Sequence, residues 1–346
     1  MSSNEVTVVR ERDPYWDNAK AILVTLVVVG HAIQPAAAHE QVGADVLYRW
    51  IYLFHMPAFV LVGGYLSASL TRRRAGLLAV GLVVPYLIFQ VAQAVERAVI
   101  DGEQPDLTRL LVPRWTLWFL VAMVLWRLSA PLWLALRPTV AVVGAVALAV
   151  VAGLGSGVGH ALALDDTLGY LPFFVGGLLL RERGWRPPAT TSARWLAAGA
   201  LVLAPVVIAL TRDSYSRSVH QLGFAATATD DGNLSASALR LLLLGAGAVL
   251  TLAVLVLVPR GGHAWTSVGR WSLYVYLLHA LVLIPFREGE RLGQVGALGV
   301  VVVVVLSVAL TLVLASRPAR VLTWWAVEPT WTGRLLVRPS EGPEPR

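Results

Sequence analysis

The stretch WDNAKAILVTLVVVGHAI, residues 16–33, combines the apolar length of a membrane helix with two basic side chains. A helix of about 20 apolar residues crosses the ~30 Å hydrocarbon layer of a bilayer. Lys20 stands near the start of this run and His31 lies inside it. Lys20 is also the only lysine among the 28 lysine and arginine residues. The run therefore predicts a transmembrane helix whose two basic residues need an explanation.

Similar apolar runs fill nearly the whole chain of 346 residues, which is 57% hydrophobic and 14% charged. This pattern predicts an all-α integral membrane protein, a bundle of about ten transmembrane helices without a separate soluble domain. The predicted spans are residues 19–38, 46–70, 75–98, 115–135, 139–157, 167–180, 195–211, 238–258, 270–287 and 295–315. Residues 1–18 then form a cytoplasmic segment, 19–315 the membrane domain, and 316–346 a cytoplasmic tail, first interfacial and then disordered. Two Gly-Gly pairs, 63–64 and 176–177, are expected to let helices approach closely.

The net charge of +7 comes from arginines that stand in short clusters between the apolar runs. Such clusters are typical of cytoplasmic loops, so no nucleic-acid partner is expected. Their distribution predicts a multi-pass protein of the cell membrane with both termini in the cytoplasm. Residues 1–20 hold three basic and four acidic side chains, which argues against a cleaved signal peptide. No cysteine occurs in the sequence, so it supplies no thiolate nucleophile or ligand.

Lys20 and His31 are 11 residues apart, so on one helix they share a face and lie about 16 Å apart along the axis. An ionisable residue at mid-membrane depth is a candidate functional group, because such residues usually face a cavity or a partner. A neutral histidine bonded to a neighbouring helix explains the same pattern equally well. Lys20 alone is explained as a topology signal at a cytoplasmic helix end. Only the 11-residue spacing indicates that Lys20 and His31 belong to one site.

A cation about 16 Å from a proton acceptor suits a ligand with phosphates at one end and a reactive group on a long arm. Acyl-coenzyme A has that shape. The imidazole of His31 would act as general base for a hydroxyl that attacks the thioester, because imidazole titrates near neutral pH. Asp17, three residues before Lys20, is expected either to pair with the lysine or to cap the helix.

Four segments carry a family resemblance: RDPYWDNAKAILVTLVVVGH, YLFHMPAFVLVGGYLS, RWTLWFLVAMVLWRL and VGRWSLYVYLLH, in this order along the chain. They resemble the membrane-bound acyltransferase 3 family, especially its fucose 4-O-acetylase-like branch. A basic residue followed after ten others by histidine is the most specific of these motifs. The resemblance implies a ten-helix bundle that uses acyl-CoA to O-acylate sugars, with His31 as the catalytic histidine and Lys20 as its basic partner.

Further substrate-binding residues are predicted less specifically. The family often has an Arg-x-x-Arg pair after the second span, linked to donor handling, where this chain has the run TRRR with Arg72, Arg73 and Arg74. Topology signalling explains these arginines equally well. Trp118 is expected to line the acceptor path by stacking on a sugar. A position in the aromatic belt is the alternative, which the neighbouring Trp115 supports.

His55 and His279 are also substrate-binding candidates. Counted from Arg270, His279 lies near the depth of His31, whereas His55, counted from Arg72, lies nearer the outer face. Three membrane histidines could suggest a metal, but their depths differ and no carboxylate or thiolate supports them, so no metal is predicted. The group that orients His31 is not evident from the sequence.

The sequence therefore predicts a membrane O-acyltransferase that moves acetyl from cytoplasmic acetyl-CoA to a sugar, glycan or glycosylated metabolite, with no tightly bound cofactor. The predicted partners are acyl-CoA, the acceptor and the lipid bilayer, and the oligomeric state stays open. One rival is a proton-coupled multi-pass transporter, against which stand the lack of an inverted repeat and of a coupling carboxylate in the spans. Another is a scaffolding subunit, for which His31→Ala would be harmless.

Overall fold

All regular structure in the described part of this computed structural model is helical. The structure describes residues 12–39, 41–67, 76, 78–102, 104–105, 110–154, 161–217, 233–288 and 293–333. The helices are α1 (Pro14–Ala38), α2 (Val42–Leu66), α3 (Val84–Asp101), α4 (Trp118–Ala135), α5 (Pro138–Ala152), α6 (Leu164–Gly169), α7 (Leu171–Glu182), α8 (Thr191–Thr211), α9 (Asn233–Leu257), α10 (Thr266–Arg270), α11 (Ser272–Glu288), α12 (Ala297–Leu314) and α13 (Arg317–Val327). A π-helical turn, Ala79–Val83, precedes α3, and 3-10 turns precede α4 (Trp115–Leu117) and α6 (Ala161–Ala163) and follow α13 (Thr330–Thr332).

Each of the ten predicted spans overlaps a helix of this set. Seven described helices are long and apolar enough to cross a membrane: Pro14–Ala38, Val42–Leu66, Val80–Asp101, Trp115–Ala135, Thr191–Ser214, Ser235–Leu257 and Ala297–Leu314. The α6–α7 pair, bent by 62°, is an eighth candidate, and α5 and α11 are shorter apolar helices. The prediction of an all-α integral membrane protein is confirmed.

The centre of the bundle is formed by α1 and α2. In their apolar windows 67% and 72% of the residues are buried, against 11% in α8 and 28% in α12. The exposed positions of α8 and α12 are mainly leucine and valine, such as Leu210 and Val305, as a lipid-facing surface requires. α1 packs against α2, α10, α11 and α12. The helix that carries Lys20 and His31 is therefore enclosed by other helices.

The start of α1 is set by its first residues. The Asp13 side chain accepts a hydrogen bond from the backbone N–H of Tyr15, and Pro14 occupies the first helical position, where a missing N–H has no cost. Asp13, not Asp17, is therefore the cap. From there α1 is continuous to Ala38, so the 11-residue spacing from position 20 to position 31 lies on one unbroken helix.

Glycines allow a backbone contact between α2 and α7. A Cβ at Gly64 would overlap the backbone of Phe174, and one at Gly177 would overlap the carbonyl of Leu61. These two positions agree with the expected small-residue packing. The same expectation is wrong for Gly176, because an added Cβ there would meet no atom within 4 Å.

The end of the described chain is the amphipathic helix α13 and the turn after it. Trp324, Trp325 and Trp331 are about half exposed there, at 47%, 53% and 50%. Tryptophan at this exposure suits the headgroup zone, as the sequence predicts. The disorder predicted for the last part of the tail concerns residues 334–346, which lie outside the described residues.

Candidate active site

His31 on α1 and His279 on α11 meet inside the bundle. Nδ1 of His31 lies 2.9 Å from Nε2 of His279. Their rings are parallel within 5°, with centroids 5.2 Å apart. His279 is fully buried, while His31 keeps part of its surface exposed. The prediction that the two histidines lie at similar depth agrees with this contact.

The hydrogen bonds of this histidine pair define which nitrogens carry protons. Nδ1 of His279 lies 3.0 Å from the backbone carbonyl oxygen of Val275, which can only accept. His279 therefore carries its proton on Nδ1, and its Nε2 is an acceptor in the neutral ring. His31 then donates from Nδ1, which leaves a free lone pair on its own Nε2. His279 is the group that orients His31.

Aromatic rings surround the histidine pair. The ring centroid of Trp115 lies 5.0 Å from that of His31 and 6.5 Å from that of His279. Trp118 stacks on Tyr170 with ring centroids 5.5 Å apart, and its place on the acceptor path stays a prediction. Trp115 is therefore the tryptophan beside the histidines. In the sequence, the only signal for Trp115 is its place in the RWTLW motif.

Trp115 has an unusual backbone conformation, with φ of 31°. Bulky residues avoid this left-handed region, and holding one there costs about 1–3 kcal/mol. The neighbouring backbone is fixed on both sides. The Arg114 N–H donates to Gln90 at 2.9 Å, and the Tyr276 hydroxyl donates to the Thr116 carbonyl. Such enforced strain is typical of functional sites.

His55 lies close to the histidine pair rather than nearer the outer face. The ring of Tyr52 is centred 4.8 Å from that of His55 and 6.2 Å from that of His31. The depth counted from Arg72 was wrong because α2 ends at Leu66, so the helical rise does not extend to the arginine. Among the described residues there is no group of three His, Cys, Asp or Glu side chains able to hold a metal ion.

Lys20 belongs to a charged cluster at the N-terminal end of α1, which we name the rim cluster: Arg12, Asp17 and Lys20. Asp17 lies 2.8 Å from Lys20 and 2.7 Å from Arg12. The Asp17 side chain is 4% exposed, that of Lys20 18% and that of Arg12 55%. Of the two predicted roles for Asp17, pairing is the one observed. Two cations share one carboxylate, so the cluster keeps a net positive charge.

Two further residues, not singled out in the sequence, hold α10 against this end of α1. Asn18 is fully buried, donates to two backbone carbonyls of the 259–261 segment, and accepts from Thr266 at 2.6 Å. Gly269 packs so closely on α1 that a Cβ there would overlap the Asp17 carbonyl. The segment that leads along the chain to His279 therefore begins in contact with the rim cluster.

The arginines predicted to bind donor phosphates, Arg72, Arg73 and Arg74, lie outside the described residues. Two other arginines lie at the end of the bundle where α1 begins. Arg186 and Arg260 line a cavity of about 260 Å³ beside the start of α1. Arg186 pairs with Asp13, and this hydrogen bond raises the pKa of Arg186 above its usual range. The cavity is therefore rich in permanent cations.

A second polar cavity, of about 320 Å³, lies at the opposite end. Its lining is Asp45, Arg49, Arg212, Asp213, Ser216 and Arg217. Arg49 pairs with Asp45 at 3.0 Å, and both side chains are almost fully buried. Tyr52, one turn further along α2, is the residue whose ring faces His31. This face of α2 therefore leads from the cavity toward the histidine pair.

A small apolar cavity of about 80 Å³ lies along α11. It is lined by Phe59, Leu82, Phe119, Leu120, Met123, Ser272, Leu273 and Tyr276. The Tyr276 ring is centred 6.1 Å from that of His279. Along α11, the cavity therefore lies between the N-terminal end of the helix, next to α10 and the rim cluster, and the histidine pair.

Buried charges also occur where α6 approaches α9. Arg240 is fully buried and Asp165 is 6% exposed. Asp166 interacts electrostatically with both. The bent α6–α7 pair, a candidate span, therefore carries two aspartates, and the prediction that the spans lack a coupling carboxylate stays a prediction. The predicted span began at residue 167, whereas its helical part begins at residue 161 and includes both aspartates.

Comparison with known proteins places the chain in a family. The acyltransferase 3 model, described as an acyltransferase domain, matches residues 13–316, so the chain belongs to this family. A nodulation protein NolL of Mesorhizobium japonicum is 36% identical over 88 residues, 22% of this chain and 23% of the relative. The NolL protein of Sinorhizobium fredii is 34% identical over 85 residues, with the same shares. The alignments thus span about a quarter of the length of these curated relatives. No solved structure matches.

Proposed function

Starting from membership of the acyltransferase 3 family, we propose that this protein is an O-acetyltransferase of the cell membrane. It transfers acetyl from acetyl-CoA to a hydroxyl of a sugar, glycan or glycosylated metabolite. One observation carries the proposal: the hydrogen bond from His31 Nδ1 to His279, whose own proton is held by the Val275 carbonyl. This arrangement makes Nε2 of His31 a directed proton acceptor, which is what a general base requires.

The reaction needs one proton to move twice. His31 Nε2 takes the proton of the acceptor hydroxyl while the hydroxyl oxygen attacks the thioester carbonyl. The imidazolium that forms keeps its hydrogen bond to the neutral His279, which spreads the charge over the chain of hydrogen bonds. His31 then gives the proton to the departing CoA sulfur. His279 is a positioning residue, since it acts through His31.

The donor enters from the end of the rim cluster. The phosphates of CoA require cations, and Lys20, Arg186 and Arg260 supply them at this end. From Lys20 to His31 the helix rises about 16 Å, which fits the pantetheine arm. The apolar cavity along α11 offers the pantetheine arm an apolar surface between the rim cluster and the histidine pair.

The acceptor approaches from the opposite end, where the cavity lined by arginines and aspartates suits a hydroxyl-rich ligand. Since acetyl-CoA is cytoplasmic, the end of the rim cluster faces the cytoplasm. The arginine-rich segments at that end, including residues 181–186 and 260–270, agree with the positive-inside rule. This orientation places both termini in the cytoplasm.

The proposal is tested with the full-length protein in lipid nanodiscs and acetyl-labelled acetyl-CoA. The acceptor probes are methyl glycosides of fucose, rhamnose and glucose, together with a lipid extract of the host membrane. We expect acceptor-dependent CoA release and labelled ester with the wild type, and neither with His31→Gln, which keeps a polar side chain but lacks the base. Equal ester formation by the two proteins would overturn the proposal.

The transporter alternative is favoured by one observation, the buried Asp165 and Arg240 with the partly buried Asp166. It predicts that proteoliposomes take up a labelled glycoside under a pH gradient without acetyl-CoA, and that Asp166→Asn stops this uptake. The acetyltransferase proposal predicts no uptake in the absence of acetyl-CoA. The aspartates and arginine then serve as a compensated structural group, which needs no proton exchange.

A further inference from the structure

Arg287 reaches the histidine pair but has no part in the proton transfer described above. It stands eight residues after His279 on α11, about 12 Å along the axis, and its side chain lies over Trp115. The guanidinium carbon is 4.7 Å from the centre of the Trp115 ring. Trp115 therefore connects Arg287 to the histidines, because the same ring is 5.0 Å from that of His31.

The guanidinium of Arg287 is incompletely bonded. Its Nη1 is buried and has no hydrogen-bond partner among the described residues. A buried donor left unpaired is destabilising, and more so when it is charged. The stacking on Trp115 fixes the direction of the group without using its N–H donors. Arg287 is therefore an oriented cation with a free donor beside a proton acceptor.

The spacing suits a reacting thioester. The two contacts with Trp115 keep the guanidinium carbon within about 10 Å of the centre of the His31 ring. In the reacting complex, the acceptor hydroxyl is hydrogen-bonded to Nε2 of His31, and the carbonyl oxygen is hydrogen-bonded to the guanidinium. The chain from Nε2 to the guanidinium therefore consists of two hydrogen bonds of about 2.6–3.2 Å each and the reacting atoms between them. Such a chain fills that gap.

We propose that Arg287 is a second catalytic residue, which binds the thioester carbonyl oxygen and stabilises the negative charge that it acquires. The inference rests on the proposed acetyl transfer and adds the group that receives the developing anion. Arginine suits this role because it stays protonated in proteins. A preorganised donor at such an oxygen contributes about 10²–10³-fold to the rate.

The acetyl transfer passes through a tetrahedral intermediate. The acceptor oxygen forms a bond to the carbonyl carbon while its proton moves to His31 Nε2. The carbonyl π electrons move onto the oxygen, which becomes an alkoxide bonded to Arg287. When the alkoxide collapses, the C–S bond breaks, and the CoA sulfur leaves with the electron pair and takes the proton from His31. The products are the acetyl ester and CoA thiol, with both histidines neutral again.

The experiment compares Arg287→Gln and Arg287→Lys with wild type as full-length protein in nanodiscs. Arg320→Gln is the matched control, because Arg320 also lies over a tryptophan, Trp271, at 3.9 Å, but on α13. Binding is measured calorimetrically for acetyl-CoA and for trifluoroacetonyl-CoA, whose ketone forms a tetrahedral hydrate. These affinities need no acceptor and no turnover, so the result does not depend on which sugar is acetylated.

We expect Arg287→Gln to weaken binding of trifluoroacetonyl-CoA about 10²-fold while acetyl-CoA binding changes less than threefold. Arg287→Lys should retain part of the selectivity, and Arg320→Gln all of it. Equal affinity changes for both ligands would overturn the role of Arg287, as would an increased acceptor KM with unchanged kcat, which indicates acceptor binding. Loss of transfer in His31→Gln together with unaltered selectivity in Arg287→Gln would retain the proposed function and reject this inference alone.

Discussion

The rim cluster and the histidine pair, the two polar sites on α1, stabilise polar side chains in a membrane helix in different ways. At the rim cluster, Asp17 and Lys20 are charged and paired at 2.8 Å, with part of Lys20 still exposed. At the histidine pair, 11 residues further along, the side chains are joined by a hydrogen bond between rings. Only one site depends on formal charge.

The difference follows from the cost of desolvation. An ion pair close to the headgroups keeps some contact with water, whereas charges near mid-membrane must be compensated completely. A hydrogen-bonded imidazole chain can stay neutral at rest and become charged only during reaction. The rim cluster is therefore suited to binding an anion permanently, and the histidine pair to moving a proton transiently.

The largest effect short of removing His31 is expected from His279→Asn. Asparagine can reproduce the donor near Nδ1, but it does not reach the position of Nε2, so His31 loses its orienting acceptor. We expect kcat to fall about 10²-fold with little change in the acetyl-CoA KM, measured as initial rates of CoA release.

His279→Gln provides the matched control, because its amide oxygen can occupy the position of Nε2. It should retain at least about tenfold more activity than His279→Asn. Equal losses in the two variants would mean that His279 supports packing rather than the direction of the His31 proton.

An intermediate effect is expected where α10 packs on the rim cluster. In Gly269→Ala the new Cβ would meet the Asp17 carbonyl, so α10 must shift. We expect a loss of about 1–3 kcal/mol in stability, seen as a lower melting temperature of the detergent-solubilised protein.

Gly176→Ala tests the same chemical change in open space. Its melting temperature should equal that of the wild type or rise slightly, since alanine is preferred over glycine in helices by up to about 1 kcal/mol. A similar decrease in both variants would contradict the close contact of α10 with α1.

The smallest effect is expected from the rim cluster itself. Lys20→Gln should increase the KM for acetyl-CoA about tenfold and leave kcat nearly unchanged, because one charge-assisted contact to phosphate is lost. Arg12→Gln, which removes the exposed partner of the same Asp17, should change this KM less than threefold.

Lys20→Arg separates charge from shape at this position. If the charge alone matters, arginine should restore the wild-type KM within about threefold. An unchanged KM in Lys20→Gln would instead reduce Lys20 to a topology signal.

The fold could be predicted well because each membrane span depends only on the local length of an apolar run. The spacing of Lys20 and His31, and the depth of His279 counted from the nearby Arg270, could also be predicted. His55 was misplaced because its count crossed Leu66, where α2 ends and the helical rise stops. The count for His279 runs almost entirely within α11, whereas the count for His55 runs beyond the end of α2.

The site could be predicted only in part, because its contacts join residues far apart in the chain. The bond from His31 to His279 spans 248 positions. Trp115 and Trp118 both stand in one motif, and only the backbone at Trp115, fixed through Gln90, brings its ring to the histidines. Arg287 is the last residue of a predicted span, and nothing local indicates that its side chain lies over Trp115.

We propose that the histidine pair performs the chemistry while the rim cluster binds the donor. This division of roles can be tested in membrane vesicles that retain their endogenous acceptors, by measuring acetyl-CoA binding and label transfer for His31→Ala beside wild type. We predict that the Kd for acetyl-CoA stays within about twofold while transfer falls by at least about 10³-fold. Label transfer at the wild-type rate in His31→Ala would contradict the proposed role of the histidine pair.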